Sequence, residues 1–228
     1  MWCFIQLEKE GFELLFRTLY MNDMKSILYG IALALMTFTF PADAAAPENA
    51  RTIQNVQKYL NSFRTAKARF VQTTHDGTQL VGTFYLQRPG KLKFVYDDPI
   101  KDFVVADGVF IYFYDAELKE QTNAPIGQTM ADFILRDNLK LSGDVTVNDV
   151  TRSGQYLQVG LTQTDDQGGG SLILAFDEKP LQLKKWRVVD PQGLITEIEL
   201  FYLETGVKHP KGFFAYHPPK ANKPRLNQ

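Results

Sequence analysis

The sequence has one cysteine, Cys3, and three histidines, His75, His209 and His217. A single thiol cannot form an intrachain disulfide, and no histidine sits at metal-ligand spacing such as HExxH. Each histidine lies beside turn residues. No GxSxG elbow presents a serine nucleophile, and Ser171 follows Gly168-Gly169-Gly170, which reads as a hairpin loop rather than a phosphate cradle. GxxxxGK[ST] and GxGxxG are also missing. The acidic pairs Asp97/Asp98 and Asp165/Asp166 fall at strand ends, as solvated turn residues do. With no nucleophile beside its base, no metal set and no cofactor motif, the sequence points to binding rather than to an enzyme. Charge of one sign is lacking too: 25 Lys and Arg stand against 26 Asp and Glu. Nucleic-acid recognition needs a concentrated basic face, and none is visible.

Long hydrophobic runs are short as well. Ile27–Phe40 (ILYGIALALMTFTF) falls below the roughly 20 residues of a membrane-spanning helix. It follows Met24-Lys25 and precedes Pro41-Ala42-Asp43-Ala44-Ala45-Ala46, the order of a secretory signal peptide: basic start, apolar region, small-x-small site. Cleavage is expected after Ala44, since a cut after Ala46 would leave Pro47 at the next position. Residues 1–44 thus read as an upstream extension plus a removed leader, with an N-terminal anchor helix as the other reading of residues 1–23. Cys3 would go with the leader. No cysteine follows the apolar region to be lipidated, so the expected product is soluble in the periplasm. Residues 45–219 suffice for one domain with a sizeable core, and residues 220–228 form a short polar tail expected to be loose.

What is present is β pattern. Asn49 can cap an amphipathic helix with Ile53, Val56, Leu60 and Phe63 on one stripe. From Ala66 the period changes to two, and short strands alternate with turn signals. Leu80–Gln87 turns at Arg88-Pro89-Gly90 into Lys91–Tyr96, and Phe103–Ala106 turns at Asp107-Gly108 into Val109–Tyr114. Leu118–Thr122, Val145–Thr151, Tyr156–Thr162, Ser171–Phe176, Leu183–Val189 and Leu194–Leu203 follow. Such spacing indicates an antiparallel sheet that curls into a sandwich or barrel. One segment, Gln128–Leu135, interrupts it with helix formers behind Thr129 as a cap.

One face of this sheet is apolar throughout. Leu92, Phe94 and Tyr96 share it, as do Leu172, Leu174 and Phe176, then Trp186 with Val188, and Ile198, Leu200 and Tyr202. Aromatics, at 17 Phe and 10 Tyr, cluster on the strands. Two readings fit: a dense core, or a hollow closed by the two helical segments.

GTFYLQRPGKLKFVYDDP, the downstream VADGVFIYFYDAELKEQT, the F-x-Q of Phe70 and Gln72, and FFAYHPP near the end resemble the LolA family, periplasmic carriers of lipoproteins. The resemblance runs from the first helix to Pro219. It implies a mainly β fold with an α lid: an unclosed antiparallel β-barrel, a strongly curved sheet with short helices covering an apolar cavity. It implies no reaction and no cofactor, a monomer, acylated lipoproteins as cargo, an inner-membrane ABC transporter like LolCDE as donor and an outer-membrane acceptor. Arg88 matches the family's arginine before proline, which latches the lid. The acyl-chain cavity is expected to draw on Phe70, Phe84, Leu86, Leu92, Phe94, Tyr96, Ile111, Phe113, Phe133, Ile134, Leu172, Leu174, Phe176, Trp186 and Val188. A carrier of another lipid with the same fold is the alternative.

Overall fold

A computed structural model describes residues 45–218. The expected leader, the cut after Ala44 and the tail 220–228 lie outside the described residues.

The described chain opens with helix α1 (Ala45–Asn61). It continues through strands β1 (Thr65–Thr73), β2 (Gln79–Gln87), β3 (Lys91–Tyr96), β4 (Phe103–Asp107), β5 (Phe110–Asp115) and β6 (Glu120–Pro125). A single 3-10 turn at Ile126–Gln128 and a four-residue helix α2 (Asp132–Leu135) come next. The last strands are β7 (Val145–Ser153), β8 (Tyr156–Gln163), β9 (Ser171–Glu178), β10 (Leu181–Val189) and β11 (Ile195–Thr205).

All eleven strands form one antiparallel sheet in the order β6-β5-β4-β3-β2-β1-β11-β10-β9-β8-β7. It is a meander in two wings, joined where β1 pairs with β11. The two edges, β6 and β7, do not pair, so the barrel is unclosed as expected. This topology dictates the lid. The connection from β6 to β7 must travel from one edge of the sheet to the other, and it carries α2 with it.

Several boundaries differ from the sequence reading. The chain is already helical at Ala45, the first described residue, so Asn49 lies inside α1 rather than capping it. Ala45 and Ala46 favour helix. Thr129 does not cap α2 either: its hydroxyl donates to Ile126 O at 2.8 Å, and Ala131 holds the cap position without a side-chain bond. Strand β6 begins at Glu120 because Asp115 to Lys119 form a turn, in which Asp115 Oδ1 accepts the Leu118 N–H and Lys119 has φ of 58°.

Tyr202 requires a larger correction. Lys67 opposes Glu204, but Arg69 opposes Phe201, so one residue of β1 faces two of β11. This bulge puts Tyr202 at φ of 55° and 84% exposed. The extra residue resets the alternation: Leu200 is buried, Phe201 and Tyr202 face solvent, and Leu203 packs against the core.

The inner face carries the core. Phe70 sits at its centre, fully buried, edge-on to Phe94 at 5.0 Å and to Tyr96 at 5.4 Å. Phe84 meets Trp186 at 5.5 Å. Phe70 pairs across strands with Gly82, and this explains the glycine: a Cβ there would lie 2.3 Å from Val95 O and 2.7 Å from the Phe70 ring. The ring occupies the space a side chain would take.

The outer face is covered in part by the chain after β11. His209 lies 3.2 Å from Leu86 O, Phe213 packs on Tyr85 at 4.9 Å, and Tyr216 stacks on Tyr112 at 4.0 Å and 5°. The FFAY segment is therefore a strap over β2–β5, and under it outward-facing Val105 is buried.

Replacing Gly82 with alanine should destabilise the fold by about 1–3 kcal/mol, as overpacking of a filled site does. Denaturant unfolding measures it. A midpoint equal to that of the unchanged protein would mean that the Val95 backbone and the Phe70 ring both give way at no cost.

Candidate functional site

The site is built at the turn between β2 and β3. A β-hairpin turn normally faces water, yet Arg88 here is only 5% exposed. Five donors on this turn meet five carbonyl oxygens. Arg88 Nε donates to Ile134 O at 2.7 Å, and Nη1 donates to Phe63 O at 3.2 Å and to Leu60 O. The Arg88 N–H donates to Arg64 O at 2.7 Å, and the Gly90 N–H to Leu135 O at 2.9 Å. Leu60 lies in the last turn of α1, and Ile134 and Leu135 end α2. Terminal helix carbonyls have no partner within their own helix, and the negative end of a helix dipole favours a cation. The turn thus ties both helices to the sheet through groups that would otherwise lack partners.

Gly90 has φ of 75°, and a Cβ on it would come within 2.9 Å of Gly108 Cα. The glycines of Arg88-Pro89-Gly90 and Ala106-Asp107-Gly108 therefore touch, and the two motifs form one packed corner of the sheet.

The guanidinium lies over the Phe63 ring at 5.2 Å. Burial pushes its pKa down to about 10, partly offset by the field of Asp137 and then of Tyr59. At neutral pH it is charged, held by carbonyls rather than by a carboxylate. A depression from 12.5 to about 10 corresponds to roughly 3 kcal/mol against the charged form. The carbonyl bonds therefore work against a real desolvation cost.

Beneath this turn lies an enclosed apolar cavity lined by Leu60, Phe63, Ala66, Phe84, Leu86, Arg88, Ile134, Leu139, Leu174, Leu183, Trp186, Leu200 and Leu203. Its volume is only about 20 Å³, room for about one water. The expected hollow is closed up: the dense-core reading describes this conformation, in which the lid side chains fill the sheet. A larger apolar guest could enter only by displacing the segments that cover the sheet. A wider groove of about 580 Å³ lies on the outer face, open to solvent and walled by Asp97, Asp98, Lys101 and Asp102. Those charges make it a poor match for hydrocarbon, and the small apolar cavity is the better candidate despite its size.

Of the residues expected to line the cavity, Phe84, Leu86, Ile134, Leu174 and Trp186 do so, with Arg88 at its rim. Phe70, Leu92, Phe94, Ile111, Phe133, Leu172 and Phe176 are buried in the same core without touching the residual space, and Tyr96 and Val188 are half-buried against it. Burial pushes the Tyr96 hydroxyl up to about 12, with Asp102 adding to the rise, and it donates to Gln72 Oε1 at 2.7 Å. Phe113 is a correction. It shares the face of Ile111 but is 43% exposed. Its partner toward the sheet edge is exposed Thr122 of β6.

Leu139, Leu183 and Leu203 escaped sequence reasoning. Leu139 sits in an irregular segment without period, and Leu203 is brought inward only by the bulge. Leu60 and Phe63 were legible on the stripe of α1 but not as cavity wall.

Fold and site together define a lidded, half-open β-barrel whose interior is apolar and whose closure is polar. Residues 61–217 match the family model described as outer membrane lipoprotein carrier protein LolA, and the chain belongs to this family. It is 29% identical over 205 residues to the outer-membrane lipoprotein carrier protein of Methylococcus capsulatus, covering 86% of this chain and 96% of that one. With the protein of the same name from Nitrosospira multiformis it shares 26% over 190 residues, 75% and 86% of the two chains. Among solved structures it is similar to a LolA superfamily protein from Nitrosomonas europaea, at a TM-score of 0.38 and 9% identity over 72% of this chain and 97% of that one.

Replacing Arg88 with leucine leaves the carbonyls of Leu60, Phe63 and Ile134 without their donor, at about 1–3 kcal/mol for each that stays buried. The lid should loosen while the sheet survives. Hydrogen exchange of the Gly90 amide, which donates to Leu135 O, is the measurement, and it should accelerate about tenfold or more, as local opening predicts. An unchanged rate would show that Arg88 does not hold the lid.

Proposed function

We propose that this protein carries lipoproteins through the periplasm, sheltering their acyl chains between the sheet and the lid and releasing them to an outer-membrane acceptor. The observation that carries this reading is the pairing of an apolar interior with a closure made of exchangeable hydrogen bonds around one buried guanidinium. The names of the relatives from Methylococcus capsulatus and Nitrosospira multiformis support it. The lining residues Phe84, Leu86, Leu174 and Trp186 would meet the chains first, and the deeper Phe70, Phe94 and Phe176 would form the floor.

Magnitudes favour a closing lid over a permanent hole. Burying one methylene is worth about 0.8 kcal/mol, so a chain of roughly 14 methylenes offers ~11 kcal/mol. A preformed cavity would collect all of it and hold its cargo. Here the lid side chains already bury the same sheet surface, so loading replaces one apolar contact by another and the balance stays near zero. Directionality then comes from the partners: an inner-membrane ABC transporter of the LolCDE kind that spends ATP at loading, and an acceptor of higher affinity at unloading. The carrier itself performs no chemical step, needs no cofactor and works as a monomer, exported by a leader cut near Ala44.

Mass spectrometry of the protein isolated from periplasm tests the reading. Co-purifying triacylated lipoproteins are expected; free phospholipid or glycolipid would assign it to another lipid, and a polar metabolite would overturn the carrier reading altogether. The Arg88→Leu form should load but pass its cargo on poorly, since closure no longer competes with the chains. Transfer to acceptor equal to that of the unchanged protein would remove the latch from the mechanism.

A further inference from the structure

The lid consists of two stretches far apart in sequence, α1 and the chain from α2 to Leu141. What joins them to each other is separate from what joins them to the sheet. Asn61 Nδ2 donates to Leu139 O at 2.8 Å, and its Oδ1 accepts the Leu139 N–H at 2.9 Å. One helical turn earlier, Gln57 Oε1 accepts the Leu141 N–H at 2.9 Å. Leu139 and Leu141 are buried while Lys140 between them is exposed, the alternation of an extended chain.

The spacing explains why two amides suffice. Four residues of helix advance about 6 Å, and two residues of extended chain advance about 6.6 Å. Side-chain amides at i and i+4 of α1 therefore match backbone groups at alternate positions of the lid chain, as a neighbouring strand would. The Arg64–Asp137 ion pair adds a contact on the exposed side, where such pairs contribute little. The amides do the joining.

We propose that Gln57 and Asn61 are positioning residues that clip helix α1 and the chain at 139–141 into one lid body, which parts from the sheet at the Arg88 turn and opens as a unit. The proposal rests on the carrier reading, in which the lid must open. Arg88 holds carbonyls of α1 through Leu60 and of α2 through Ile134. Were the two stretches independent, the guanidinium could keep one and release the other, leaving the cavity half uncovered. With the clip, those bonds are lost together and release becomes two-state. The mouth then forms beside Arg88.

Amide hydrogen exchange on the whole chain decides this, because it follows the separate bonds. In Arg88→Leu the Gly90 amide should exchange about tenfold faster or more while the Leu139 and Leu141 amides keep their protection, the pattern of a lid that lifts without coming apart. If Leu139 and Leu141 lose protection in step with Gly90, the two stretches separate and the clip is refuted. Gln57→Met should speed the Leu141 amide about tenfold, and Gln57→Glu, which keeps an acceptor oxygen, should restore it. Equal exchange in the two Gln57 variants would reduce that residue to packing and overturn its role. Binding of a fluorescent fatty acid, measured alongside, reports on the carrier reading. A protein that binds none defeats that reading alone, while the exchange pattern still decides the clip.

Discussion

The structure depends on a buried guanidinium whose hydrogen-bond partners are backbone carbonyls. A carboxylate partner would have made a strong charge-assisted pair, and removing one member of such a pair from the other is costly. Carbonyls at helix ends satisfy the donors without fixing the charge. When the lid lifts, Arg88 recovers its hydration and the carbonyls recover water, so much of what is lost on opening is regained. The depressed pKa of Arg88 records the same fact from the other side: the closed state holds this charge against its preference for water. As the proposed latch, an arginine with these properties would close an empty carrier without sealing it.

The apolar interior completes the balance. Leu60 on α1, Phe63 in the link after it, and Phe133, Leu135 and Leu139 on the crossing chain bury the sheet face so well that about 20 Å³ remains. The closed protein is a packed core in its own right. Under the proposed function hydrocarbon would not fill a hole but compete with leucine and phenylalanine for the same rings of Phe84 and Trp186. Two apolar occupants of similar strength can be exchanged by small forces, which is what a shuttle between a donor and an acceptor requires.

Much of this was legible from residues alone. The strand runs, the inward faces of β3, β9 and β10 and the helical interruption near Gln128–Leu135 follow from period and turn chemistry, both local properties. The role of Arg88 was legible only through the family motif, because its four carbonyl partners, those of Leu60, Phe63, Arg64 and Ile134, come from two segments far from it in the chain. Three features stayed hidden. The bulge at Tyr202 breaks the period-two rule by one residue and no sequence signal marks it. Leu139 lies in a stretch whose order comes from the amides of Gln57 and Asn61, 84 and 78 residues away from their partners. The extent of closure was hidden too, since an alternating pattern states which side chains point inward and not how tightly a distant helix fills the space between them.

The division of labour between sheet and lid follows from where rigidity lies. The Arg88 turn is braced on one side by Gly90 against Gly108 and on the other by the strap, where His209 reaches Leu86 O, two residues before the arginine. Phe213 packs on Tyr85 of the same strand, with Lys93 of β3 over its ring. The donors are thereby mounted on a braced corner of the sheet, and the acceptors on the end of α1, the link that follows it and the end of α2. A site whose groups must meet again after each cycle gains from holding one set fixed, because only the other has to be ordered on closing. Exchanging the positions, with donors on the lid and carbonyls in the sheet, would fail on simple accounting of hydrogen bonds: strand carbonyls are already engaged by neighbouring strands, whereas helix ends arrive with carbonyls free.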